Sequence, residues 1–286
     1  MFLHLVFILN ADLGNRDAKR GNKMKTIRKI GMALFAVLMS VNFTSCDKGD
    51  EGESAAQKTN KKLVQMREYK VDASGENLNR MLDFKYDANG LVIKIQEKWK
   101  ESSDSDWDVD VMEYVWDSNN SITRYWEDGY ECCKYTLADG RISNKYSSED
   151  NAITGTYAYD QEGYIKQVND GCTYTWSGGQ LLLGNHYGSS DTFRYGSQEC
   201  KGFFPLLSEY ICYEGGDYLF LAHPELIGAK CISLPIKKSG KYETVTYEYK
   251  LASDGYISTC TETTEEHWGE GFGQRTIVCI YEFVWE

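Results

Sequence analysis

The chain has 286 residues, a formal net charge of −12, 21 Tyr and only three Pro. From Cys46 onward, 24 basic residues stand against 41 acidic ones, which argues against a phosphate-binding surface and therefore against a nucleic-acid partner. Abundant aromatics with scarce Pro favour pleated strands over long helices or disordered tails, and 241 residues are enough for one large β domain.

Residues 1–23 include an apolar run, Phe2 to Leu9, far shorter than a membrane span. They read as an extension upstream of the true start at Met24. Met24 to Lys29 is basic and Ile30 to Val41 apolar, the order of a signal peptide over 24–45. Phe43-Thr44-Ser45-Cys46 follows and resembles the bacterial lipobox, with Phe43 where Leu is usual. That resemblance implies a lipid on Cys46 and a membrane as partner. Residues 46–62, charged and containing Gly, cannot bury themselves and form a tether. Their acidic run, Asp47 to Glu53, resembles the surface-export signal of Bacteroidetes lipoproteins, which implies an outer-membrane anchor with the domain at the cell surface. The other reading is a solvated linker facing the periplasm.

Residues 63–286 repeat one phrase: aromatic-x-aromatic-Asp, two variable residues, Gly, then an apolar return. It stands at Phe84 to Val92, at Tyr157 to Ile165 and, two residues longer, at Tyr247 to Ile257, with weaker copies at Tyr114, Tyr135 and Tyr174. Alternating aromatics turn one strand face to a core, Asp opens a turn by accepting from the backbone ahead, and Gly accepts positive φ. Each copy is a predicted β-hairpin. Anchors at 117, 139, 160 and 177 lie 22, 21 and 17 residues apart. This spacing predicts an all-β, up-and-down antiparallel meander, strongly curved or barrel-like. Around residues 203–230, apolar residues at helical spacing broken by Pro205, Pro224 and Gly228 predict short helices capping or plugging one end. Strands such as Val92 to Lys100 carry Lys and Glu where a lipid-facing band would be apolar, so a membrane-spanning barrel is not expected.

The hairpin phrase resembles the tyrosine-aspartate repeats of RHS-type proteins. With the lipobox, Leu226-Ile227-Gly228-Ala229-Lys230 followed by Leu234-Pro235, and the Tyr247 to Ile257 hairpin, the chain resembles a Bacteroidetes lipoprotein family of unknown function with a porin-like fold. The resemblance implies a curved or barrel-like sheet and supplies no activity.

Asp104, Asp106, Asp108 and Asp110 would share one strand face, which makes the first three candidate metal ligands. Against this, Val109 and Val115 occupy the Gly and bidentate Glu positions of a calcium loop, and a solvated acidic face is the plainer reading. Trp99, Trp107 and Trp126 are candidate sugar-stacking residues, although core packing is the commoner fate of strand aromatics. Eight Cys follow Cys46 without CxxC spacing, so bridges and buried thiols both remain open; adjacent Cys132 and Cys133 would face opposite sides of a regular strand. His186, His223 and His267 are scattered, and Gly269 to Gly273 lacks the Lys of a phosphate loop, so neither a catalytic set nor a cofactor site is indicated. The expected function is a non-enzymatic, surface-anchored binding module for glycans or for an outer-membrane protein. The alternatives are a glycan-active hydrolase and a purely structural envelope lipoprotein.

Overall fold

The computed structural model describes residues 61–100, 106–117, 120–211, 217–229, 233–267 and 274–286. Cys46 and the tether up to residue 60 lie outside them, as do Asp104, Cys212, Cys231, Trp268 and the 269–273 glycines. The first half of the sheet comprises β1 (Leu63–Asp72), β2 (Gly75–Tyr86), β3 (Val92–Trp99), β4 (Asp108–Asp117), β5 (Ser121–Trp126), β6 (Glu131–Ala138), β7 (Arg141–Ser147) and β8 (Ala152–Tyr159). The second comprises β9 (Ile165–Val168), β10 (Cys172–Ser177), β11 (Gln180–His186), β12 (Ser189–Glu199), β13 (Ser233–Ser239), β14 (Glu243–Leu251), β15 (Ile257–Glu266) and β16 (Arg275–Trp285). Each strand pairs antiparallel with its sequence neighbours, and β1 pairs with β16, so the meander closes into a 16-strand barrel without free edges. Between β12 and β13 lie helix α1 (Pro205–Ile211), helix α2 (Leu219–Ala222) and a 3₁₀ turn (Pro224–Ile227), matching the expected helical insertion.

Closure is prepared by the hairpin phrase. Asp87 Oδ1 accepts from the N–H groups of Asn89 and Leu91, both at 2.9 Å, and Asp160 Oδ1 does the same for Glu162 at 3.0 Å and Tyr164 at 2.9 Å. The turn needs a left-handed residue, supplied by Gly90 and Gly163 at φ 88° and 87°. The second aromatic of each phrase also has a bonding role. Tyr86, Trp116, Tyr159, Trp176, Tyr195, Tyr249 and Trp285 donate to Leu63, Val92, Ile142, Ile165, Leu181, Pro235 and Ile257 carbonyls respectively, at 2.6 to 2.9 Å. Every even-numbered strand except β6, which has Leu137 there, is thus pegged to the strand before it. Several pegs coincide with a β-bulge, as at Tyr86 and Tyr159, and bulges sharpen the twist that bends a sheet into a barrel.

Alternation sorts the side chains. Ile95 and Met112 are register partners facing inward, 0% and 2% exposed. Lys94 and Glu113, the next pair, face outward with Nζ and Oε1 3.9 Å apart. Further outward ion pairs join Arg67 to Glu282 at 3.4 Å and Lys98 to Asp83 at 4.0 Å, while β15 turns Thr259, Thr261, Thr263 and Glu265 away from buried Cys260. These outward positions are the reverse of the apolar band that faces lipid.

A barrel of this strand number is wide enough to hold a water channel. Here the insertion occupies the lumen. Leu207, Ile211, Leu219, Phe220, Leu221 and Ile227 pack with Ile95, Ile122, Tyr135 and Ile165 of the wall in one core, each 2% exposed or less. Burying each such side chain contributes about 1.5–3 kcal/mol. The inserted chain also passes very close to the wall: a Cβ on Gly228, which has φ 63°, would lie 2.2 Å from the Gly163 carbonyl oxygen, so only Gly fits.

Candidate functional site: the open mouth above the plug

The repeat turns gather at one rim, whereas the β1–β2, β3–β4, β13–β14 and β15–β16 connections lie at the other. At this second rim a cavity of about 630 Å³ opens between α1 and the inner wall, lined among others by Trp99, Tyr247, Tyr281, Arg80, Glu97 and Glu262. A second hollow of about 600 Å³ shares Asn79 with it and is lined by Lys70, Lys100 and Arg275. The mouth therefore has an acidic inner chamber and a more basic outer one.

The chamber is built on residues from both ends of the sequence, brought together by closure. Arg80 sits between Glu68, with Nε 2.8 Å from Oε2, and Glu209 of α1, with Nη2 2.9 Å from Oε1. Glu97 accepts from the Tyr218 hydroxyl at 2.6 Å, and its register partner is Asp110. Lys238 pairs with Glu243 at 2.6 Å. Burial raises the carboxyls of Glu97 and Asp110 above their ordinary range, with repulsion from Asp108 adding to the second. Glu262 is pushed up to about 7, first by burial and then by Glu209, Glu243 and Glu68, against the pull of Lys238. Among the described residues its carboxylate has no hydrogen-bond partner.

Beneath the chamber the plug is fixed to the wall by buried polar contacts. Asp217, whose side chain is 0% exposed, accepts from the Tyr114 hydroxyl at 2.6 Å, from the Tyr135 hydroxyl and from Leu219 N–H at 3.1 Å, and lies 3.4 Å from Arg124 Nη1. His223 accepts from Val92 N–H at 3.2 Å through Nε2 and contacts Glu225 at 2.8 Å through Nδ1. Tyr174 donates to the Ile211 carbonyl at 2.8 Å.

Of the three candidate stacking residues, Trp99 ends β3 and lines the chamber. Trp107, just before β4, and Trp126, ending β5, stand at the same rim but are engaged by cations: Lys100 Nζ lies 5.3 Å from one ring centroid and the Arg124 guanidinium 4.8 Å from the other. Trp116, Trp176 and Trp285 serve as the backbone pegs described above. Asp108 and Asp110 do share a face, and it is the inner one: they oppose Trp99 and Glu97. Asp106 precedes the strand, exposed, and Asp104 lies outside the described residues. No group of three or more His, Cys, Asp or Glu among the described residues is placed to hold a metal ion.

Cys132, Cys133, Cys260 and Cys279 are free thiols. The expectation that Cys132 and Cys133 face opposite sides is corrected by a bulge, since Arg124 opposes Cys133 and Tyr125 opposes Glu131, leaving Cys132 unpaired. Cys132 Sγ accordingly reaches Arg124 Nη2 at 2.8 Å, and contact with Cys133 and then the guanidinium lowers its pKa while that of Cys133 rises.

Sequence reading missed Arg80, Glu68, Glu97, Glu262 and Asp217. A signal existed for several: Glu68 shares the strand parity of Met66, and Glu97 that of Ile95, so each is a charge on an apolar face. Asp217, two residues before the Leu219 to Ala222 helix, accepts from Leu219 N–H, the local turn that Asp favours.

A closed, up-and-down 16-strand barrel belongs to the porin-like class of folds. Among solved structures, a porin-like protein from Bacteroides uniformis ATCC 8492 is similar to this chain with a TM-score of 0.61 and 16% identity, over 78% of this chain and 98% of that one. At that identity the likeness establishes the fold. No protein-family model and no curated protein matches the chain.

Proposed function

We propose that this protein is a non-enzymatic binding module of the cell envelope, tethered through a lipid on Cys46 to the outer membrane and taking glycan segments into the mouth of its barrel. The observation that carries the reading is the chamber of about 630 Å³, walled by Trp99, Tyr247 and Tyr281 beside Arg80, Glu97 and Glu262, above a lumen sealed by apolar packing. Aromatic faces stack on the C–H surface of sugars, and carboxylates and guanidinium groups accept and donate to their hydroxyls. The apolar packing of the insertion inside the barrel and the ion pairs on its outer face both speak against a conducting pore.

The purified protein is expected to bind members of a polysaccharide array saturably. Trp99→Ala should weaken that binding by about tenfold, the loss of roughly 1.4 kcal/mol of stacking, with Trp107→Ala and Trp126→Ala changing it less. Silence across the array would end the glycan reading and leave an outer-membrane protein partner or a structural role.

A hydrolase reading has one supporting observation: Glu262, with its carboxyl raised to about 7, suits a general acid, and Glu97 faces Asp110 across the chamber wall. Release of reducing ends from the same array would replace binding by catalysis. For the anchor, Cys46→Ala is expected to move the protein from the membrane fraction to the soluble fraction; retention in the membrane would refute lipidation at Cys46.

A further inference from the structure

We propose that Cys132 is a site of covalent thiol modification, where the sulfur exchanges with a low-molecular-weight disulfide and keeps half of it as a mixed disulfide. The site lies where β5 meets β6, apart from the residues that line the chamber, and does not depend on the glycan reading. Its geometry comes from the bulge in β6. Arg124 opposes Cys133 and Tyr125 opposes Glu131, so Cys132 is the extra residue of the strand. Its Sγ lies 2.8 Å from Arg124 Nη2 and in hydrogen-bonding contact with the Cys133 thiol. Arg124 is 6% exposed, 3.4 Å from Asp217 and against the ring of Trp126, yet its buried Nε has no hydrogen-bond partner among the described residues. A buried guanidinium so placed favours a negative sulfur beside it.

The thiolate, not the thiol, attacks a disulfide. The hydrogen bond with Cys133 and then the charges of Arg124 and Lys145 lower the Cys132 pKa, against burial, which raises it. Cys133, Cys260 and Cys279 are buried and shifted the other way, the first by its bond to Cys132 and the other two by desolvation. Of these four thiols only Cys132 is part-buried, within reach of a small reagent. In the exchange its thiolate attacks one sulfur of the disulfide, a new S–S bond forms as the old one breaks, and the other half leaves as a thiolate that takes its proton from water. The adduct persists, because Cys133 is the next residue, its Cα about 3.8 Å away and short of the roughly 4.4–6.8 Å that ordinary disulfides span. The guanidinium repels metal cations, which makes a disulfide, rather than a metal ion, the reagent of this thiol pair.

The test is incubation of the full-length protein with oxidised glutathione at pH 8 and 6.5, followed by peptide mass spectrometry. Cys132 is expected to gain the adduct at least about tenfold faster than Cys133, Cys260 or Cys279. Its rate should fall less than about threefold between the two pH values, where an ordinary thiol near 8.5 loses roughly twentyfold. Cys132→Ser should abolish that adduct. Arg124→Lys, which keeps the charge beside Asp217 but not the fork that reaches the sulfur, should restore the steep pH dependence, and so should Cys133→Ala, which removes the thiol contact. If Arg124→Lys fails to fold, Cys133→Ala decides alone. An adduct spread over the buried thiols, a Cys132 rate with ordinary pH dependence, a Cys132–Cys133 bridge in its place, or no adduct at Cys132 until urea unfolds the protein would each overturn the site.

Discussion

Replacing Asp217 by Ala is expected to lower the unfolding free energy by about 3–5 kcal/mol, the range for removing one partner of a buried, hydrogen-bonded ion pair. The residue is the point where the inserted segment meets the barrel wall. Its carboxylate, fully buried, takes the hydroxyls of Tyr114 from β4 and Tyr135 from β6, the N–H of Leu219, and the charge of Arg124 from β5. Without it, Arg124 is a buried cation facing two tyrosines, with Cys132 and the ring of Trp126 as its remaining contacts. Tyr114→Phe removes one donor and keeps the charge pair, so its cost should stay near 1–3 kcal/mol, that of a single buried hydrogen bond to a charged group. Urea unfolding followed by tryptophan fluorescence checks both. If Asp217→Ala proves no more costly than Tyr114→Phe, the insertion is held by its apolar packing alone.

Glu262→Gln is expected to stabilise the protein at pH 8 by as much as about 3 kcal/mol and to leave it unchanged near pH 4. The carboxyl titrates near 7 when folded against an ordinary value of 4.5, burial being the main cause. Between those values the folded chain holds a proton that the unfolded chain has released, so stability falls as pH rises. The favourable contribution of the neutral acid is complete below 4.5 and is lost as pH passes 7. Glutamine keeps the neutral form at every pH and removes this slope. Urea midpoints for both proteins at pH 4, 6 and 8 decide the matter; parallel pH profiles would mean that Glu262 ionises in the fold without penalty.

Much of the architecture was legible because it is written locally. The aromatic-x-aromatic-Asp phrase specifies alternation, turn and left-handed Gly within nine residues, and copies spaced by about two strands can only meander. The broken helical spacing near Pro205 and Pro224 likewise announced the insertion. What stayed hidden depends on closure. Whether the face shared by Asp108 and Asp110 looks outward or inward is decided by the pairing of β1 with β16, which places the start of β4 opposite residues of β14 to β16. The same closure puts Trp99 in the chamber wall, whereas Trp126, the register partner of inward-facing Met112, packs against the core. Arg80 and Glu209, 129 positions apart, meet because α1 enters the barrel, and no spacing in the sequence foretells that.

The two ends of the barrel strands meet at the seam, where Lys62 and Glu286 exchange backbone hydrogen bonds at 2.6 and 3.0 Å. Lys62 stands beside Gly90, at the rim that carries the repeat turns, so the polypeptide enters the barrel on the side opposite the chamber. A lipid at Cys46 would then act as a stalk of at most about 55 Å, sixteen steps of extended backbone. The proposed anchor would therefore join the barrel at the rim of the repeat turns, the end opposite the chamber.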